Sequence, residues 1–200
     1  MGIVILAWVL GFIIPDLLGL TELLMMSKVG IIKGHLFTQV YTNLVRVLAV
    51  FVLFLLTRLV PADVFLIPIF TPLPLLILIG AALALAFLLI PKRGIKVLTE
   101  IRFYYQKTGR LCSIFIFNRY LLHICQIVLI SFMVMILNRS LNPILSGLIA
   151  GGLWASLDLL LRNYRFGIYN LLLSVILSFS YSQFGSFSLN ILIGILPQII

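Results

Sequence analysis

Acidic residues are nearly missing from this chain: Asp and Glu number five among 200 residues, against fourteen Lys and Arg. Carboxylates are the usual ligands of catalytic divalent metals and the usual acid and base of hydrolases, so their scarcity argues against a metal-dependent phosphotransferase. Histidine is rarer still, limited to His35 and His123, and neither an H-E-x-x-H run nor a phosphate-cradling glycine loop occurs. Two cysteines, Cys112 and Cys125, are too few for a disulfide framework. Charge of either sign is also sparse. Charged residues make up 10% and hydrophobic residues 63%, with a mean hydropathy of +1.27, more apolar surface than one soluble core of this length can hide. The bilayer is the expected solvent. Only helices or closed barrels satisfy their backbone there, and long apolar runs without alternation select helices.

What is present confirms that direction. Apolar stretches lie at about 2–26, 43–60, 64–90, 120–138, 143–161 and 167–184, with a shorter one at 187–200. About 20 residues span a bilayer, so the expected fold is all-α: a polytopic bundle of six spans plus a short C-terminal apolar segment. No basic residue precedes the first stretch and no small-residue cleavage pattern follows it, so it is read as a retained helix. Pro68, Pro72 and Pro74 interrupt the third stretch, which places an extended or re-entrant entry over 64–72 and the span itself from about Leu73. Asn142 and Pro143 supply an N-cap and a first-turn proline for the fifth.

Seven of the fourteen basic residues fall between Lys92 and Arg119. With this linker on the cytoplasmic side and spans alternating from it, twelve basic residues lie inside and only Arg58 and Arg139 outside, which puts the N-terminus outside. Lys28, Lys33, Arg46, Arg162 and Arg165 complete the inside set, and Cys112 and Cys125 fall near that reducing side. The chain thus divides into an N-terminal three-span half at 1–90, a basic linker at 91–119, and a C-terminal half at 120–200. An odd number of spans per half permits an inverted repeat, although the halves share no evident sequence similarity. Within the linker, Val97, Leu98, Ile101, Tyr104 and Tyr105 share one helical face, opposite Lys96, Glu100 and Lys107. An interfacial helix is expected, with Lys92, Arg93, Lys96 and Lys107 against anionic headgroups and Gly109 as its stop. Flanking positions of this kind suit lipid as the partner and give no basic patch for nucleic acid.

A few polar groups sit within apolar sequence and are the candidates for chemistry. Asp16 follows Pro15, and two structures fit: a broken helix with a carboxylate at mid-depth, or a span ending near Ile14 with Pro15-Asp16 starting a short interfacial helix. Glu22 is about 120° off the Asp16 face and is assigned to interfacial solvation. Asp158 precedes Arg162 by four residues, the spacing at which a helix pairs acid and base. Gly147 and Gly151 form a G-x-x-x-G pair for close helix packing. His123 and Cys125, two residues apart, point in different directions and cannot share a metal; His35 has no carboxylate neighbour in sequence, and no histidine follows Ser146 to serve as its base. No cofactor and no metal are expected. The sequence therefore points to a non-catalytic subunit of a larger assembly in a bacterial-type inner membrane or an organelle membrane, packed against other membrane subunits and lipid. A small transporter or substrate-capturing component using Asp16 and Asp158 is the alternative, and a lipid-modifying intramembrane enzyme a third.

Overall fold

The computed structural model describes residues 1–57, 72–90, 93–160 and 163–199. Every regular element among them is helical: α1 (Gly2–Gly19), α2 (Glu22–Val29), α3 (Ile31–Thr57), α4 (Pro72–Leu89), α5 (Arg93–Thr108), α6 (Cys112–Leu137), α7 (Pro143–Leu160), α8 (Tyr164–Phe184) and α9 (Phe187–Ile199). Three of these, α1, α3 and α6, are both long and apolar enough to cross a membrane, while α4, α7 and α9 contain shorter apolar runs. The expected extended entry over 64–72 falls almost wholly outside the described residues.

Helix α6 is the centre of the molecule. Some 56% of its most apolar stretch is buried, against 28% for α1 and for α3, because it takes α1 and α3 on one side and α7, α8 and α9 on the other. Ile127, Leu129, Ile130, Met133 and Val134 are fully enclosed and share a core with Leu53 of α3 and with Leu173 and Leu177 of α8. Polar links hold the outer helices to this frame. Trp8 Nε1 donates to the Leu153 carbonyl at 2.7 Å, fastening α1 to α7. At the end of α6, Asn138 Nδ2 donates to the Ser178 carbonyl at 2.9 Å and Ser178 Oγ returns a bond to Asn138 Oδ1 at 2.8 Å.

The tightest helix pair is α7 on α8. A Cβ at Gly147 would lie 2.5 Å from the Val175 Cα, and one at Gly151 would lie 2.8 Å from the Leu171 Cα, so both positions let backbone meet backbone. Asn142 caps α7 through a 2.8 Å bond from the Leu145 N–H, with Pro143 in the first turn.

Two segment boundaries and one helix face differ from those read in the sequence. The first stretch is not one helix over 2–26: α1 ends at Gly19 and α2 follows, turning into α3 through Gly30, whose φ of 89° suits a residue without a Cβ. The second apolar helix does not start at 43 but at Ile31, because His35, Thr38, Gln39 and Thr42, which lower the local hydropathy, share one face of a continuous helix, with Lys33 on the opposite one. The linker helix α5 runs from Arg93 and stops before Gly109, but its apolar face is divided. Ile101 and Tyr104 pack on Leu36 and Phe115, with the Tyr104 and Phe115 rings stacked at 3.8 Å, whereas Leu98 and Tyr105 remain exposed. Stacking on α6 buries more aromatic surface than a position flat in the headgroup layer would.

Candidate functional site

Proline lacks an N–H and its ring collides with the carbonyl four residues back, so Pro15 ought to break α1. It does not. A π-turn over Val9–Ile13 precedes it, in which the Ile14 N–H reaches back five residues to the Val9 carbonyl. The wider turn absorbs the proline, and the helix continues to Gly19 with Asp16 on its side. Neither structure expected for Pro15-Asp16 is realised: the helix is not broken and no second helix starts at Pro15.

Asp16 meets Arg46 of α3. Arg46 Nη2 donates to Asp16 Oδ1 at 2.7 Å, and Arg46 Nη1 donates to Asn43 Oδ1 at 3.2 Å. Asn43 in turn donates through Nδ2 to the carbonyl of Asn118 on α6 at 2.8 Å, which joins three helices through one network. Only 7% of the Arg46 side chain is exposed, and its Nε–H has no partner among the described residues. Arg46 is therefore not a flanking cation of the inner face. A guanidinium taken this far from water is costly unless paired, and one of its donors is unused.

Arg46 terminates a polar stripe. His35, Thr38, Gln39, Thr42, Asn43 and Arg46 recur at three- and four-residue steps along α3, and from His35 to Arg46 the helix completes three turns to within about 20°. Thr38 and Thr42 satisfy their hydroxyls on the carbonyls of Gly34 and Thr38 at 2.9 Å each. Glu22, placed by the short α2, accepts from His35 Nδ1 at 2.6 Å, so His35 has a carboxylate companion and Glu22 is not merely solvated. On the other ring nitrogen, Nε2 faces Gln39 Nε2 at 2.8 Å, which suits an amide donor and the Nδ1–H tautomer. Gln39 Oε1 is buried and unpaired among the described residues. Tyr41 holds the α1–α2 corner against α3 by donating to the Leu18 carbonyl at 2.5 Å.

Two cavities meet at this stripe. The larger, about 640 Å³, runs from Glu22 and His35 to Asp16 and Arg46, with Ile13, Pro15, Leu17 and Leu20 as its apolar side. The smaller, about 190 Å³, has Asn118, Arg119 and His123 across from α3. Gln39, Thr42 and Arg46 line both, so these three side chains form the wall between them.

The other sequence candidates fall around this cleft or away from it. Asp158 accepts from Asn170 Nδ2 of α8 at 2.8 Å and does not line the cleft at Asp16. The expected pairing of Asp158 with Arg162 falls outside the described residues, as does Lys92, and the side chains of Arg93 and Lys96 fall outside them too. Lys107 is exposed near the end of α5. Cys125 is buried and within electrostatic reach of Arg46, Cys112 is buried under Tyr104, and neither forms a disulfide. No group of three or more His, Cys, Asp or Glu side chains converges on a metal position among the described residues. The stripe on α3 is what sequence reasoning missed, and its spacing was the available signal. No family model, curated protein or solved structure matches the chain.

Proposed function

We propose that the protein is a membrane-embedded component that captures a small solute, polar at one end and apolar along one side, in the cleft ending at Asp16 and Arg46. One observation carries this: a nearly enclosed guanidinium with an unused N–H, set where two cavities meet. Ionisable groups inside a membrane protein are expensive and are retained for ligands or coupling. A site for a polar solute needs several buried polar groups, and Thr38, Thr42, Asn43, Arg46 and Asn118 are buried together here. The solute's apolar side would face Ile13, Leu17 and Leu20 and its polar end the α3 stripe, a division typical of small-molecule sites.

The supporting topology is six spans with the N-terminus outside: α1, α3, α4, α6, α7 and α8, with α9 too short to cross. Helices α4 and α7 are 18 residues each and α8 is 21. At about 1.5 Å per residue these lengths are about 27 and 31 Å, against a hydrocarbon core of about 30 Å. Removing Arg46 from the flanking charges leaves eleven inside and two outside, the same orientation.

The test uses the full chain in lipid nanodiscs, equilibrated with a fractionated small-molecule extract and analysed by mass spectrometry for retained compounds. Wild type should retain a set that Thr42→Leu, which fills the cleft, and Arg46→Gln both lose. Identical sets from all three proteins would rule the solute site out. A second reading, a non-catalytic subunit of a larger assembly, is favoured by the half-exposed Asp16 side chain beside the exposed Leu17 and Leu20. A neighbouring subunit would cover that side of α1, and gentle purification with identification of co-purifying membrane proteins tests it.

A further inference from the structure

A third cavity lies apart from the Asp16–Arg46 cleft, between the first turns of α3 and the start of α6. Lys33, Leu36, Phe37 and Val40 form one wall and Leu111 and Ile114 the other, around about 530 Å³. The α3 residues sit at i, i+3, i+4 and i+7, so they make one continuous strip about two turns long. That strip is apolar apart from Lys33 at its end. Phe37, Val40, Leu111 and Ile114 are all exposed, so the groove is open along its length and no side chain among the described residues fills it.

One wall lies on α3 and the other on the first turn of α6 with Leu111 just before it, and both helices are long and apolar enough to cross a membrane, so the groove opens toward hydrocarbon. Lys33 is exposed, carries no salt bridge among the described residues, and belongs to the basic set that marks the inner face. An apolar channel with the Lys33 cation at its headgroup end complements a molecule with a hydrocarbon chain and a terminal negative charge. We infer that this groove holds an acyl chain of an anionic phospholipid, with the lipid phosphate on Lys33. Lipid tails are as apolar as the groove, so the chain sets only the fit. The selectivity rests on Lys33, and one lysine at the headgroup layer is worth roughly fivefold in preference for an anionic over a zwitterionic lipid.

The experiment reconstitutes the full chain with trace phosphatidylglycerol or phosphatidylcholine, each carrying a photoreactive group in one acyl chain, and maps the cross-linked peptides. Phosphatidylglycerol should label residues 36–40 and 111–114 about fivefold more than phosphatidylcholine does. Lys33→Gln, at an exposed position, should remove that difference and leave a common basal yield; Val40→Trp and Ile114→Trp, from opposite walls, should each lower labelling by both lipids. Excess free glycerol phosphate should not compete. Equal labelling by the two lipids in wild type, a preference that survives Lys33→Gln, labelling that maps elsewhere, or displacement by glycerol phosphate would each overturn the assignment.

Discussion

The Asp16–Arg46 pair can be weighed by a double-mutant cycle. Breaking a fully buried ion pair costs about 3 to 5 kcal/mol, whereas an exposed pair is worth about 0 to 1 kcal/mol. This pair is asymmetric: the Arg46 side chain is 7% exposed and that of Asp16 43%. Asp16→Asn leaves the enclosed guanidinium with Asn43 and a neutral amide, and should cost about 2 kcal/mol. Arg46→Gln leaves a carboxylate that can still reach solvent, and should cost about 1 kcal/mol. In the double variant neither charge is stranded, so the costs should fall short of additivity by about 1.5 kcal/mol. Equilibrium unfolding in mixed micelles reads this out through tryptophan fluorescence, because Trp8 bonds to Leu153 at 2.7 Å and Trp154 lies 6.4 Å from Phe12, both across the α1–α7 contact. Strict additivity, with coupling below about 0.5 kcal/mol, would refute the claim that the two charges compensate each other.

Gly147→Ala should destabilise by about 2 kcal/mol, since its methyl meets the α8 backbone, while Gly152→Ala meets nothing within 4 Å and should be neutral or slightly stabilising; unfolding of the two variants side by side checks the contrast. Asn138→Ala removes both bonds to Ser178 and should cost about 1 to 2 kcal/mol, with Ser178→Ala costing less because the carbonyl bond survives. For orientation, Tyr105→Cys should be closed to an impermeant thiol reagent in intact cells and Ser140→Cys open, against low background because Cys112 and Cys125 are buried. The reverse pattern would invert the proposed topology.

Helical class and the centres of the apolar segments were legible because hydropathy sums over many residues and tolerates errors at single positions. Local chemistry was legible too: Asn142 caps α7 and Gly109 follows the end of α5. Boundaries were lost where an average hides a direction. The α3 segment before residue 43 contains Lys33, His35, Thr38, Gln39 and Thr42, which pull a window below the threshold for a span. Yet Leu36 is buried and Phe37 and Val40 face outward between them, so the helix is amphipathic there rather than absent. A moment at 100° per residue sees this, and a mean does not.

The partners of the acids were illegible for a different reason. Asp16 and Arg46 are 30 residues apart, and Glu22 and His35 are 13 apart, so neither pair has a local spacing to betray it. Each exists because α2 and Gly30 reverse the chain and lay α3 back along α1, which a one-dimensional pattern cannot specify. A constraint was nonetheless available from charge cost alone. A carboxylate in apolar sequence requires compensation, and where no cation stands at i±3 or i±4 the compensation must come from another helix. Asp16 has none at those positions, and within the Ile31–Thr57 helix Arg46 lies mid-length, although the apolar stretch read from 43 put it at an edge. With the bounds of α3 known, that elimination selects Arg46. Once the pair is accepted, α3 must present the Arg46 face to α1, and the polar residues spaced along that face follow as the lining of whatever lies between the two helices.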